Sequence, residues 1–376
     1  MSWDPFANIP RIVDAVENAP SVFNTRPWRF EISAADRIDL RLRPDLANLD
    51  EDTPRERALK REYVISCGAT LFNLRLVMRV AGHDLAVWLL PDPQRDRAML
   101  ASVEIVTGRI EKPTVAEQEL YEAIWQRHTN RSPYKIVPAP LPIIVEMEHA
   151  AAKEDAWLRL LNHRQARKWM RLVARVDRDP AFTSPFPNLV PPQNYGPPPQ
   201  NLLPLENPLP RTRKDFWRDD EKQRFEFHPR LMALSTDDDQ PPDWLHAGQA
   251  LQHAILTASR YSVSTPHGLT ARYHAPPLLG IPARHHLLRH DDLAHYGLSV
   301  SFLTHPLEQD DIDGVVRQWP WRWRFPELPQ MVIRVGYAPD QPPSAPLEKE
   351  PHILDTRPGR PGAPYRAETQ NPGTDL

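Results

Sequence analysis

The sequence predicts an α+β protein built as two halves around a pair of long helices. Helical and strand-like patterns alternate along the chain, and the order helix, strand, helix, strand recurs in each half. Residues 63–80, the second part of a long helix, are apolar nearly all round, the pattern of a helix buried in a core. Gly68, Leu71 and Leu76 in that helix match Gly248, Leu251 and Leu256 in a second long helix at the same spacing. Glycine inside a helix costs about 1 kcal/mol relative to alanine. Glycines at matching places therefore predict close backbone approach, two long helices packed together at the centre, and an internal duplication. The alternative is a chance match between two helices rich in Leu and Ala.

The elements follow in order. Residues 10–18 form a short helix with proline in its first turn, ended by Ala19-Pro20. Residues 28–32 and 38–42 read as strands around Ala34-Ala35-Asp36. Thr53-Pro54 opens the first long helix, which Gly82 stops after about residue 81. Strands are expected at 84–90 and 100–107. Thr114 with Glu117 is a capping box, and its helix continues through Trp125. A helix at 141–153, a strand at 156–161 and a basic-faced helix at 163–178 come next. A short strand at 231–235 precedes the second long helix, which Asp243 caps; residues 282–296 have ambiguous, helix-like character, and 331–337 form an apolar strand.

Composition narrows the function classes. The chain has 376 residues, enough for two domains or one large one. Its 46 Lys and Arg against 49 Asp and Glu argue against nucleic acid or an anionic membrane as a general partner. The single cysteine, Cys67, excludes an internal disulfide framework and a Cys-based zinc site. No basic region followed by an apolar run opens the chain, and no apolar run reaches membrane-spanning length, so a cytoplasmic location is expected. The 44 prolines concentrate in residues 179–210 and beyond residue 338. Neither stretch suits a regular helix or a central strand. The internal one reads as a lid or a linker, the tail as loosely ordered or wrapped on the surface.

Two stretches could carry chemistry. Residues 19–30, APSVFNTRPWRF, turn a helix end into a strand start. Asn24 offers a donor and acceptors on a short amide, and Pro27 favours extended geometry at Arg26, so the strand begins at Trp28. A loop exposing Ser21 and Asn24 suits a planar polar ligand. Residues 127–131, Arg127-His128-Thr129-Asn130-Arg131, follow a helix. Two arginines four apart with a hydroxyl and an imidazole between them can converge on one phosphate; equally, they form a basic helix end that complements the helix dipole. His285, His286, His290 and Asp291 meet no strict metal motif and read as a solvated polar segment. Trp319, Trp321, Trp323 and Phe325 read as a loop packed onto the core, and Asp237, Asp238 and Asp239 as a solvated helix start.

APSVFNTRPWRF resembles the PSxxNxQPW segment of the nitroreductase-like FMN enzymes, and RHTNRSPY their arginine-rich phosphate segment. With ISCGATLFNLRLV, LSTDDDQPPDWLHAGQAL and PQMVIRVGY, the whole resembles the Acg-type FMN-binding oxidoreductases over about residues 9–338. In that family one chain carries two nitroreductase-like halves that imitate a homodimer. The resemblance implies one half over residues 1–112, a second over 113–338 with a lid at 179–211, and a proline-rich tail over 339–376. It implies one FMN per chain. Arg127, His128, Thr129 and Arg131 would hold the phosphate, and Pro20, Ser21, Asn24 and Arg26 would approach from the other half. Residues 264–268 would lie near the flavin edge. Arg26 stands where the family has Gln, and Phe23 where Acg-type proteins often have His. The basic pair usual after the last strand is not obvious, and Lys349, Arg357 and Arg360 in the tail are candidates to stand in for it. The implied activity is electron transfer through FMN from NAD(P)H to a nitro compound or quinone, in a monomer with no assigned catalytic acid or base. The rivals are an FMN-sequestering protein whose lid prevents turnover and a specialised flavin-dependent dehydrogenase or flavin-modifying enzyme.

Overall fold

At the centre two helices touch through glycine. The computed structural model describes residues 9–47, 53–110, 112–127, 129, 134, 139–176, 230–261, 296–302, 307, 327–339 and 353–357. α1 (Ile9–Glu17) leads to a hairpin of β1 (Trp28–Ala34) and β2 (Arg37–Leu42), then a short α2 (Pro44–Ala47). The central α3 (Pro54–Val80) is followed by β3 (His83–Leu89) and β4 (Met99–Ile110). α4 (Val115–Gln126) precedes α5 (Leu141–Ala152), β5 (Trp157–Leu160), α6 (His163–Val176) and β6 (Arg230–Thr236). The second central helix, α7 (Pro241–Ser259), precedes β7 (Tyr296–Phe302), β8 (Leu328–Pro339) and β9 (Ile353–Asp355). The class is α+β with two sheets, ordered β3-β4-β2-β1-β9 and β5-β6-β8-β7. β3-β4-β2-β1 and β7-β8-β6-β5 are the same order, and every pairing within both quartets is antiparallel.

Local signals set the helix starts. The Thr53 hydroxyl accepts from Glu56 N and the Glu56 carboxylate from Thr53 N, closing a capping box at α3; Thr114 and Glu117 do the same at α4. At α7 the expected assignment needs correction. Gln240 occupies the cap position and two prolines follow it, so Asp243 falls in the first turn and accepts from Gln240 N at 3.0 Å.

One core runs through the molecule. Trp28, Phe30 and Ile32 of β1 pack against α1 and α3, and α7 continues the core to Met232, Leu234, Met331 and Ile333 of the second sheet. Leu231, Ala233 and Val332 face the other way and form a smaller core with Trp169 of α6. Among the described residues one helical window, Glu56–Val80, is long and apolar enough to cross a membrane, and 83% of it is buried inside this core.

α3 and α7 run in the same direction. The Arg57 guanidinium lies 5.3 Å from the Trp244 ring centre at one end, and Phe72 stacks on His253 at 4.7 Å further along. Between them, a Cβ built on Gly68 would stand 2.9 Å from Gly248 Cα and against Leu245 O. One on Gly248 would stand 2.7 Å from Gly68 Cα and against Ile65 O. The contacts pair up: 65 with 248 and 245 with 68, 72 with 253 and 73 with 252.

Two strands escape the sequence reading. β7 alternates Leu298, Val300 and Phe302 with Ser299 and Ser301, a strand pattern that the reading passed over between the ambiguous stretch and the strand at 331–337; the rest of the ambiguous stretch, residues 282–295, lies outside the described residues. β9 comes from the proline-rich tail. It pairs parallel to β1, Phe30 opposite Ile353 and Ile32 opposite Asp355, and buries Ile353. The tail thus returns from the second sheet to the first.

Gly68→Ala and Gly248→Ala should each destabilise the fold by about 3 kcal/mol, since the new methyl meets backbone that cannot rotate away. Denaturant unfolding of each variant measures this; a loss within the ordinary surface range would refute the contact.

Candidate functional site

The site begins with how α1 is anchored. Two buried α3 side chains reach its last turn: Thr70 Oγ1 donates to Val16 O at 2.8 Å and Asn73 Nδ2 to Ala15 O at 2.7 Å. The same carbonyls also accept from Asn18 N at 3.3 Å and Ala19 N at 3.2 Å, so each holds a second, side-chain bond at the helix end. The anchoring fixes where the following loop emerges.

That loop, residues 18–27, is held from several sides. Val22 N donates to Ser66 Oγ of α3 at 3.1 Å, and Arg26 N to Ser21 Oγ at 3.2 Å. A single 3-10 turn, Val22–Asn24, lies between these bonds. Arg43 Nη1 donates to Thr25 O at 3.1 Å from the end of the hairpin. Asn24 and Arg26 both have positive φ, 56° and 46°. Asn24 tolerates this well. For Arg26 it corrects the extended geometry expected before Pro27. The reason is the Ser21 bond on its N–H and an ion pair of its guanidinium with Glu17, 3.4 Å away. Glu17 is buried and also accepts from Trp28 Nε1 at 3.2 Å. Arg26 is thereby engaged with the end of α1. Pro20, Ser21 and Asn24 are half-buried, and the Asn24 side-chain amide has no hydrogen-bond partner among the described residues.

The second stretch arrives from α4. Arg127 N caps the helix on Ala123 O at 2.9 Å. The Arg127 side chain then donates from Nη2 to Asn18 O at 3.3 Å and from Nη1 to Thr129 Oγ1 at 3.4 Å. Thr129 forms a parallel bridge to Val300, the free edge of β7. Tyr134 is buried against Gly336, where an added Cβ would stand 2.5 Å from its ring, and the Arg334 guanidinium lies 3.8 Å from the ring centre. Arg334 also donates from Nε to Ser301 Oγ at 2.9 Å. The segment is therefore seated on the second sheet while Arg127 reaches the first-half loop.

Of the residues singled out in the sequence, Pro20, Ser21, Asn24, Arg127 and Thr129 gather here. His128 and Arg131 lie outside the described residues, as do the stretch 179–211, residues 264–268, the histidine and tryptophan clusters, Lys349 and Arg360. Arg357 does not supply the site with charge: it forms a bidentate pair with Asp355, at 2.9 and 2.6 Å, beyond the Ile32 end of β1, whereas the loop enters at Trp28. Glu17, Ser66 and Arg43 were not legible as site residues, because each acts through a partner remote in sequence. Asp237 and Asp239, read as solvated, have structural partners: Asp237 accepts from Trp157 Nε1 at 3.1 Å, and buried Asp239 from Trp244 Nε1 at 2.7 Å.

The helix-to-strand connection that leads into the second sheet, residues 153–156 between α5 and β5, is built differently. Buried Glu154 meets Arg75 Nη1 at 2.5 Å and His253 Nδ1 at 3.1 Å. Arg75 Nη1 also donates to Gln249 Oε1 at 2.7 Å. Burial pushes the Glu154 carboxyl up, but the His253 and Arg75 interactions outweigh it and hold it below its ordinary value. Cys67 is fully buried, and burial pushes its thiol well above the ordinary range, which removes it as a nucleophile. Among the described residues no three His, Cys, Asp or Glu side chains group as metal ligands.

Chemically, the first-half loop and the Arg127 segment present a guanidinium, two hydroxyls and an amide. Such donors fit a phosphate and the polar edge of a planar ring. No protein-family model matches the chain. Uncharacterized proteins from two strains of Mycobacterium tuberculosis are similar to it, each 26% identical over 341 residues, covering 85% of this chain and 84% of the relative.

Glu154→Gln should cost about 2 kcal/mol at neutral pH, less than for a fully buried pair because Arg75 is partly solvated. The folded carboxyl is held below 4.5, so its stabilisation is present above that value and is lost as pH falls through the folded pKa. Chemical unfolding from pH 7 to 3 should show the wild-type advantage over Glu154→Gln shrinking on the acid side; a constant difference would refute the assignment.

Proposed function

We propose that the chain is an FMN-binding oxidoreductase of the nitroreductase-like kind, with two duplicated halves in one chain and one FMN between them. The observation that carries this reading is the Arg127 Nη2 bond to Asn18 O at 3.3 Å. It ties Arg127, in the stretch that resembles the family's phosphate segment, to Asn18, the residue immediately before the stretch that resembles its ring segment, although 109 residues separate the two. The shared strand order of the two sheets and the paired contacts of α3 and α7 support duplication. So does the parallel run of the central helices, which one two-fold axis along them would generate.

In this reading Arg127 and Thr129, with His128 and Arg131, hold the phosphate, and Pro20, Ser21 and Asn24 meet the ring and ribityl chain. Arg26 has another part. Its pairing with Glu17 neutralises a buried carboxylate beneath the loop, so that an anionic ligand is not repelled there. Bound FMN supplies hydride acceptance and onward electron transfer, from NAD(P)H to a nitro compound or quinone. The protein's task is to position the ring and exclude water. The single-site count follows from the second connection: residues 153–156 have no Ser or Asn, and Glu154 occupies Arg75 and His253.

The purified protein should be yellow or accept FMN, and NADH or NADPH should bleach its band near ~450 nm, as for an ordinary flavin. Arg127→Ala should keep its circular dichroism spectrum and lose FMN affinity by at least about tenfold, the scale of one charge-assisted contact. A colourless protein that cannot be loaded with FMN would overturn the reading. Flavin that neither nicotinamide reduces would favour sequestration over turnover.

A further inference from the structure

One glycine of the second sheet is kept small by a side chain that follows the Arg127 stretch. Gly336 lies inside β8 and its φ is not in the left-handed region, so its conformation would admit any residue. Glycine weakens a strand interior and often marks a close approach by another group. Here the group is the Tyr134 ring. A Cβ on Gly336 would stand 2.5 Å from Tyr134 Cδ2 and 3.1 Å from its Cβ and Cγ. Gly336 pairs with Ser299 and Arg334 with Ser301, while Leu298, Val300, Ile333 and Val335 belong to the main core. Alternation therefore puts Ser299, Ser301, Arg334 and Gly336 on the opposite face, where small side chains leave room for a ring. The buried Arg334 guanidinium lies over that ring at 3.8 Å and is fixed by its Nε bond to Ser301 Oγ.

We infer that Tyr134 is a positioning residue for the phosphate end of the proposed site, with Gly336 as the slot that seats it. The inference rests on the flavin reading. Thr129 is bridged to one edge of β7, and Tyr134 lies against β8, the strand on the other side of β7. With anchor points on both sides of β7, the segment cannot slide along the strand or lift from it without losing one of them. The Arg127 bonds to Asn18 O and Thr129 Oγ1, at 3.3 and 3.4 Å, are long for hydrogen bonds and direct the guanidinium weakly. A buried aromatic ring removes roughly 150–250 Å² from water. The ring is therefore the stronger anchor, and Arg127 and Thr129 take their place from it. Tyr134, buried on the sheet, acts on a ligand through those two residues.

The test is a double-mutant cycle on FMN affinity, read by flavin fluorescence with the full chain below its melting temperature. Gly336→Ala and Tyr134→Ala should each weaken binding at least about tenfold. Together they should weaken it no more than Tyr134→Ala does alone, because the added methyl then meets no ring. Tyr134→Phe, which keeps the ring, should bind as wild type does. Thr53→Ala, which removes a helix cap outside the site, should lose stability without losing affinity. In the ligand-free chain, amides of the peptide carrying Arg127 and Thr129 should exchange hydrogen faster in Gly336→Ala and Tyr134→Ala than in wild type and Thr53→Ala. Additive losses, unchanged exchange, or wild-type affinity in Gly336→Ala would overturn the role of Tyr134 and leave the flavin reading standing. Wild type that binds no FMN would overturn both. If Gly336→Ala does not fold, Tyr134→Ala against Tyr134→Phe decides: equal affinity in the two overturns the role.

Discussion

The close approach of α3 and α7 at Gly68 and Gly248 is the constraint on which the arrangement depends. Side chains normally keep helix axes 8–10 Å apart. Here the Leu245 and Ile65 carbonyls occupy the space that the two Cβ atoms would need. Once the backbones meet, rotation of either helix is blocked, and every residue above and below the contact is assigned a neighbour. Asn73 then faces Gln252, Phe72 faces His253 and Arg57 faces Trp244. Each sheet packs on its own side of this pair, so the relation between the sheets is set by the helices and not by loops.

That rigidity reaches the site through polar groups. Asn73 is fully buried and accepts from Gln252 with its oxygen while donating to Ala15 O with its nitrogen. A buried amide satisfied on both sides locks the helices it joins, because losing either bond would strand a polar atom. α1 is thereby fixed to α3, its end fixes Asn18, and Asn18 O is the acceptor for Arg127. Ser66, two turns earlier in α3, holds the loop's next stretch through Val22 N and donates its own proton to Glu62 O at 2.7 Å. The loop is irregular in shape yet supported at each end by a helix that cannot move, the condition for a preorganised binding surface.

Local chemistry accounts for what the sequence disclosed. β1 was legible because Trp28, Phe30 and Ile32 alternate with polar residues and all face the core. Thr53 and Thr114 announced helix starts because a capping box is complete within four residues. The paired glycines were legible because their cost in a helix needs a reason. What stayed hidden depends on distant partners. β9 is three residues in a proline-rich tail and becomes a strand only because β1 offers it a free edge. β7 differs: Leu298, Val300 and Phe302 alternate with serines and were legible, and only its place beside β8 depends on a distant partner. Arg26 followed its ion pair with Glu17 and its bond to Ser21, which the Pro27 rule does not foresee. Of the candidate site, the loop and Arg127 were visible as separate stretches; the bond joining them was not.

Two sheets of the same strand order do not make two similar connections, and the difference lies in where each spends its charges. In the first half the carboxylate beside the loop, Glu17, is buried under Arg26 and Trp28, at the end of α1. That leaves the loop's amide and hydroxyl outward and the Arg127 side chain at its base. In the second half the acid stands in the connection itself. Glu154 draws Arg75 and His253 onto it, and Asp155 lies 3.7 Å from His246. Cations bound to a buried carboxylate are not available to a phosphate, and separating them would leave that carboxylate unpaired in a dry environment. The same pairing stabilises the helix crossing, since Arg75 belongs to α3 and His253 to α7. The second connection thus serves as a clasp on the central helices. The first is relieved of that duty by the buried amides of Asn73 and Gln252, and its Asn24 amide stays out of such pairs.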